Sequence, residues 1–290
     1  MLHRFALVAL CLSAAVLYAC NDAFEWKCGC DDTTTPLPPN PSNPKIVSGT
    51  NLSFGKPEVK VVSNGVTFIG FREILSENVD HSKLYSGKGD VFLGIPYAVP
   101  LTKETSFRKS VKITHKPGDT VTAKEFGHAC LQNPANKWIS IYGVGISHDC
   151  LTLNIFKPID ADSKNKLPII VFVHGGFFSQ GTAAQMLPQA MIRSFVNRGF
   201  VVMSIQYRIG MWGFLTDYSD DLISANRAIT DAATALSYIH DIAANFGGDA
   251  SQITLLGHSA GACLVDGLAM TPKYTQKRHL RFGTLGQRFR

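Results

Sequence analysis

The sequence predicts an α/β fold, with a mostly parallel central sheet covered by helices on both faces. The first sign is the pattern from Pro168 onward, where continuous apolar runs alternate with stretches whose apolar residues recur every three or four positions. Strands buried on both faces and separated by helices are what a parallel sheet requires. The second sign is material: 45% of the 290 residues are apolar, enough for a large core. The third is punctuation, since Gly199 and Gly247-Gly248 stop two helical stretches before the next apolar run.

Taken in order, the chain opens with Met1-Leu2-His3-Arg4, an apolar stretch from Phe5 to Leu17 and the exit Tyr18-Ala19-Cys20, which read as an export signal over residues 1–19. Leu17 to Cys20 also faintly resembles a bacterial lipoprotein cleavage box, which the bulky Tyr18 fits poorly. The apolar stretch is too short to span a bilayer comfortably and no later segment reaches that length. A secreted or secretory-pathway lumenal protein with no transmembrane segment is therefore expected. Residues 20–58 form a Pro-rich segment and linker, because the prolines between Asp31 and Lys45 forbid helix and ladder alike. Within it Asn51-Leu52-Ser53 is a candidate glycosylation acceptor.

The folded domain is expected over residues 59–276, opening with a hairpin in which Val59–Val62 and Val66–Phe71 flank Asn64-Gly65. Val91 to Pro100 is a strand run broken by two prolines, and Leu151 to Phe156 alternates like a half-buried strand. Then come a strand at Ile169–Val173, a helix at Gln185–Asn197, a strand at Phe200–Ile205, a helix at Asn226–Phe246 and a strand at Ile253–Leu256. The long helix turns Ile229, Ala232, Leu236, Ile239, Ala243 and Phe246 toward the core.

Of seven cysteines, Cys130 and Cys150 are the pair to join, and closing that loop stabilises by about 3 kcal/mol in the chain-entropy model. Cys28 and Cys30 flank one glycine with no matching pair elsewhere, so no zinc site is expected. Cys263 reads as a small buried apolar residue. The formal charge of +6 is concentrated in residues 271–290, which carry Lys273, Lys277, Arg278, Arg281, Arg288 and Arg290 and no acid. The rest of the chain is balanced, and nothing in it suggests a nucleic-acid partner.

Two motifs carry chemistry. Gly257-His258-Ser259-Ala260-Gly261 stands between an apolar run and a segment with helical spacing, so it reads as a strand, a tight turn and a helix with Ser259 at the apex. Its glycines remove β-carbons that would collide where strand folds back into helix, and the following N–H groups favour negative charge beside the hydroxyl. The bare pattern also occurs as an ordinary turn, and what separates the readings is the flanking strand and helix together with His174-Gly175-Gly176-Phe177-Phe178 upstream. Paired glycines after a central strand let backbone amides approach a carbonyl oxygen as it becomes negative.

Together with Phe92-Leu93-Gly94-Ile95-Pro96-Tyr97-Ala98, Asp149-Cys150-Leu151-Thr152-Leu153-Asn154-Ile155-Phe156, Tyr207-Arg208-Ile209-Gly210-Met211-Trp212-Gly213-Phe214-Leu215 and Asn245-Phe246-Gly247-Gly248-Asp249, these motifs resemble the type-B carboxylesterases. That is the cholinesterase-like branch of the α/β-hydrolases, and the resemblance spans roughly Val91 to Leu264. It implies an α/β-hydrolase fold and Ser259 as the acyl-accepting nucleophile for a small-molecule carboxylic ester. The amides of Gly175, Gly176 and Ala260 neighbour or form the oxyanion hole, and no metal or organic cofactor is required. Cys130 and Cys150 match the family's first disulfide loop, and His174 is expected to shape the glycine loop rather than transfer protons. Trp138 lies in that disulfide loop, where its relatives hold a choline-binding tryptophan, but its neighbours differ and simple packing is the expectation.

The departures matter. His258 stands where a glutamate is usual, Phe177 where a small residue is usual, and Ala228 and Ala232 where glycine and glutamine are usual. A bulky residue at Phe177 is strained if its backbone needs positive φ. In the family the serine is followed by a carboxylate and then a histidine on later strands. After Ser259 this sequence has only Asp266, in the helix beyond the turn, and His279, in a basic stretch over residues 277–290. That stretch reads as an atypical tail from a shifted reading frame, splice variant or mispredicted gene, or as a segment for a membrane surface or anionic partner.

The expectation is a secreted serine esterase represented by a partial domain, truncated after the serine turn and inactive as written. The alternatives are a non-catalytic adhesion or recognition relative and a non-functional product with an exposed sheet edge.

Overall fold

The computed structural model describes residues 52–75, 86–135, 142–217, 223–271 and, for the backbone, 280–285. The expectations for residues 1–19, Asn51, Trp138 and His279 fall outside these residues. The described chain starts at Leu52, which is already buried.

β1 (Glu58–Ser63) and β2 (Val66–Leu75) form the expected hairpin, with φ of 52° at Asn64 and 79° at Gly65, the positive pair that a two-residue turn demands. β3 (Gly87–Pro96), β4 (Thr120–Thr122), β5 (Ala129–Cys130), β6 (Ile146–Ser147) and β7 (Thr152–Lys157) follow. Then β8 (Leu167–Val173), α1 (Pro188–Ser194), β9 (Val201–Ile205), α2 (Gly210–Phe214), α3 (Arg227–Ile242), β10 (Gly248–His258), α4 (Ala260–Ala269) and β11 (Leu280–Leu285) complete the described elements.

The main sheet runs β1-β2-β3-β7-β9-β8-β10-β11, with β4 alongside β2. Along that order pairing is antiparallel from β1 to β9 and parallel among β9, β8, β10 and β11, while β4 runs parallel to β2. The parallel half is the region where the sequence alternates buried strand and helix. Residues 280–285, assigned from sequence to a basic tail, extend this half as a strand in register with Ile253–His258.

Period-two alternation sorts the side chains onto two cores. Phe92, Ile155, Val201 and Met203 join Ala232, Ala235, Ile239 and Ile242 of α3 and Leu264 and Val265 of α4. Val91, Leu93, Phe156 and Val202 join Met191 and Ile192 of α1 on the other face. Both faces are thereby covered, which explains why the strands read as continuous apolar runs.

Three details differ from the sequence reading. The helix expected over Gln185–Asn197 is broken into Ala183–Gln185, α1 and Val196–Arg198, because Pro188 at the start of α1 forces Leu187 into an extended conformation (ψ 140°) before ending at Gly199 with φ 80°. The helix expected over Asn226–Phe246 tightens into a 3-10 turn at Ala243–Phe246 before Gly247, φ 75°. And β7 is buried rather than half-buried: Asn154 accepts from Gly94 N–H (2.9 Å) and donates to Ser204 Oγ (3.0 Å). Gly94, with φ 68°, makes the irregularity between Phe92 and Ile95 that turns its amide toward Asn154.

The connection after β9 is fastened by a buried ion pair. Arg208 reaches Asp231 of α3 through Nη2 to Oδ1 (2.6 Å) and Nε to Oδ2 (2.8 Å), while Nη1 donates to the carbonyls of Ser106 (2.8 Å) and Arg108 (2.6 Å). Arg227, also buried, donates to the carbonyls of Trp212 (2.6 Å) and Met211 (2.8 Å) in α2. Burial and the neighbouring Arg208 lower its pKa, against the attraction of Asp231. Asp231→Ala leaves Arg208 without its counter-charge in a dry site and is expected to cost about 3–5 kcal/mol of stability, read from urea unfolding midpoints.

Candidate active site

The site follows from the order of the strands. β8 is continued on one side by β9, but the chain then crosses back so that β10 lies on its other side. The segments leaving adjacent parallel strands β8 and β10 therefore diverge, and such a switch point opens a crevice at the carboxyl ends of the strands. Val173, the last residue of β8, is paired in register with Gly257. Both motifs singled out by sequence thus emerge side by side.

Ser259 has φ 52° and ψ −120°, a conformation that L-residues avoid and that costs about 1–3 kcal/mol. The neighbouring glycines explain how it is held. A β-carbon on Gly257 would lie 2.6 Å from Ala262 N, and one on Gly261 would lie 2.5 Å from His174 O, so strand, helix and the neighbouring loop close up only without them. The Ser259 side chain is exposed at the tip. Ser259 O accepts from Ala262 N (2.8 Å) and Cys263 N (3.3 Å) as the first turn of α4 closes, and Ala260 opens that helix, where the first N–H groups lack intrahelical partners.

Gly175 brings the second motif against the first. A β-carbon there would stand 2.6 Å from His258 O and 3.0 Å from Ser259 Cβ. Gly176 has φ 124°, and its carbonyl accepts from Ser179 N and Gln180 N, both at 3.0 Å, to form a tight turn. Phe177 and Phe178 also take positive φ, 54° and 59°. Phe178 is secured by its carbonyl, which accepts from Gly210 N at 2.5 Å, and by its ring against Phe214. Phe177 is 70% exposed, so the strain anticipated for a bulky residue here is present with little burial to offset it.

His174 is fully buried beneath this loop. Its Nδ1–H donates to Gly175 O at 2.9 Å, its ring stacks on Tyr207 at 4.4 Å, and its carbonyl accepts from the Tyr207 hydroxyl at 2.6 Å. Gln206 Oε1 accepts from Ala183 N at 2.7 Å, and its side chain lies near enough to the ring to interact with it. Burial lowers the imidazole pKa to about 4, partly offset by the Gly175 carbonyl and Gln206. A neutral ring committed in this way supports the loop.

Gly175 is therefore brought against Ser259, and Gly176 and Ala260 are their respective chain neighbours. Other candidates are not. Among the described residues no side chain hydrogen-bonds to the Ser259 hydroxyl: His258 is exposed beside Gly175, and Asp266 lies about 10 Å along α4 by helical rise. Cys263 is half-buried rather than buried. The Cys130–Cys150 disulfide is formed, with Cα atoms 5.0 Å apart. No group of three or more His, Cys, Asp or Glu that could hold a metal occurs among the described residues, and none of their helices is long and apolar enough to cross a membrane. The sequence reading missed Gln206, Tyr207 and Asp231, whose partners are remote in sequence. The Tyr207-Arg208 pair in the quoted motif was the one available pointer to the first contacts of this group.

Comparison with known proteins identifies the family. A family model described as "Carboxylesterase family" matches residues 76–280. Gut esterase 1 of Caenorhabditis elegans is 35% identical over 192 residues, covering 66% of this chain and 33% of the relative. Human carboxylesterase 5A is 34% identical over 193 residues (63% and 32%), and the neuroligin-like protein glit-1 of C. elegans is 34% identical over 195 residues (65% and 26%). The chain thus spans about a third of the length of the curated relatives it matches. Among solved structures, juvenile hormone esterase from Manduca sexta, with OTFP covalently attached, superposes with a TM-score of 0.64 at 26% identity, covering 75% of this chain and 39% of that one.

Two outcomes are expected. The unfolded His174 imidazole titrates near 6.5 and the native one at about 4, so the unfolded chain binds the extra proton between these values. The stability contributed by the neutral ring is complete above pH 6.5 and is lost as pH falls through about 4, about 3 kcal/mol in all; His174→Gln should flatten that part of a stability-versus-pH curve. Phe177→Gly, which relieves a left-handed residue with little lost burial, should raise the unfolding free energy by roughly 0.5–1 kcal/mol in denaturant titrations.

Proposed function

Because this chain belongs to the carboxylesterase family and carries that family's α/β-hydrolase fold, we propose that it is a secreted carboxylic-ester hydrolase whose nucleophile is Ser259. The observation that carries the reading is the seat of Gly175 against Ser259. That contact supports a reading in which the amides of Gly175, Gly176 and Ala260 serve the carbonyl oxygen of an ester attacked by the exposed serine.

In the proposed reaction Ser259 Oγ attacks the ester carbonyl carbon, and the carbonyl oxygen becomes negative among these amides. Collapse breaks the bond to the alcohol oxygen, which leaves with the proton lost by the hydroxyl, and water then releases the acid from the acyl-serine. The chemistry requires no metal or organic cofactor. It does require a base, and among the described residues neither imidazole nor carboxylate is placed to act on Ser259. The proposal accordingly assigns this 290-residue chain, on its own, little turnover. Secretion is supported by the export-signal pattern over residues 1–19 and by a disulfide of the kind that persists in oxidising compartments. The neuroligin-like relative keeps a second reading in view, a recognition protein without catalysis. The strained serine turn favours the enzyme, since recognition alone has no use for it.

The test is to purify the chain, expose it to a fluorophosphonate probe and assay a short-acyl ester. Covalent labelling that disappears in Ser259→Ala, with slow or single-turnover ester cleavage, is expected. Labelling that survives Ser259→Ala, or none at all, would overturn the assignment of the nucleophile, and sustained serine-dependent turnover would overturn the low-turnover part.

A further inference from the structure

The Gly175–Gly176 loop is not held by β8 alone. After the turn at 176–180 the chain passes through Gly181, which is buried and has φ 120°. A β-carbon on Gly181 would lie 2.7 Å from His174 Nδ1 and would also strike Gly175 O, so its backbone is the floor on which the start of the loop rests. The other side of Gly181 is occupied by a side chain from a remote part of the chain. Gln132 Oε1 accepts from Gly181 N at 2.9 Å, and Gln132 Nε2 donates to Gly181 O at 2.9 Å and to Cys130 O at 3.0 Å. Cys130 is itself fixed through the disulfide to Cys150 and through the short ladder of β5 with β6.

We propose that Gln132 is a positioning residue for the oxyanion loop, transmitting the rigidity of the Cys130–Cys150 staple through Gly181 to Gly175 and so to the amides beside Ser259. The proposal rests on the reading of Ser259 as nucleophile. The chemistry demands glutamine. Only a carboxamide of this length offers one acceptor and two donors in a plane, and all three are used here. Glutamate keeps the acceptor for Gly181 N–H but loses both donors, and methionine keeps the volume and loses everything polar. With the clamp gone, Gly181 keeps a buried N–H and carbonyl that must find other partners, which moves the floor of the loop. Donors aimed at a developing oxyanion lose their effect with displacements well under an ångström to one ångström.

The experiment compares the full chain with Gln132→Met and Gln132→Glu by two measurements. One is the rate of Ser259 labelling by a fluorophosphonate as a function of probe concentration. The other is amide hydrogen exchange. Gln132→Met should lower the saturating labelling rate by about ten-fold or more while leaving the half-saturating concentration unchanged, and Gln132→Glu should recover part of that rate. Exchange should quicken in the segment 174–181 while α3 keeps its protection. A residue that merely stabilised the fold would reduce the labelled fraction or loosen the whole chain, leaving the rate of the folded fraction intact. Unchanged labelling rate and unchanged exchange at 174–181 would overturn the proposal. If the unsubstituted chain is not labelled, the nucleophile reading falls, and the exchange measurement still decides the place of Gln132.

Discussion

The arrangement depends on one constraint, the parallel, in-register pairing of β8 with β10. Val173 opposite Gly257 means that the two loops leaving the sheet start at the same height, a strand spacing apart. The two motifs then touch where Gly175 meets His258 and Ser259, before the segments part. Four positions without β-carbons, Gly175, Gly181, Gly257 and Gly261, are what allow backbone to lie on backbone there. The sheet supplies adjacency and the glycines supply contact.

Around that point several buried polar side chains each fix a turn of chain. Asn154 joins β7 to Gly94 and Ser204, Gln206 receives Ala183, Tyr207 holds the His174 carbonyl, and Arg208 ties the segment after β9 to α3. Apolar packing alone would allow these loops several arrangements of similar energy. Directional bonds that are costly to leave unmade select one. His174 shows the same logic, with a ring kept neutral by burial serving as a wedge under the loop rather than as a proton carrier.

Much of this was legible in the residues. The alternation of buried strand and helix after Pro168, the hairpin at Asn64-Gly65, the stops at Gly199 and Gly247 and the turn at Ser259 all follow from local rules that act within a few residues. What escaped has a common cause. Asn154 looked like the wet face of an alternating strand because nothing nearby announces Gly94 and Ser204, sixty and fifty residues away, as its partners. Asp231 has no local signal that marks Arg208 as its partner, and Gln132 none that marks Gly181. Residues 280–285 lacked the unbroken apolar run of a central strand, and β10 offered a strand edge on which they pair despite their sequence. Pro188 is the exception, a local signal plainly present and outweighed by the apolar spacing around it.

The backbone at Ser259 has a consequence for how the molecule tolerates change. The unfavourable dihedral pair belongs to any residue with a β-carbon, so alanine would inherit the burden that serine carries, and only glycine would be relieved of it. Folding and chemistry therefore pull in opposite directions at this single position. Glycine there would leave a sturdier fold without a hydroxyl at the tip of the turn, so the serine is held at a cost in stability that its backbone alone does not explain.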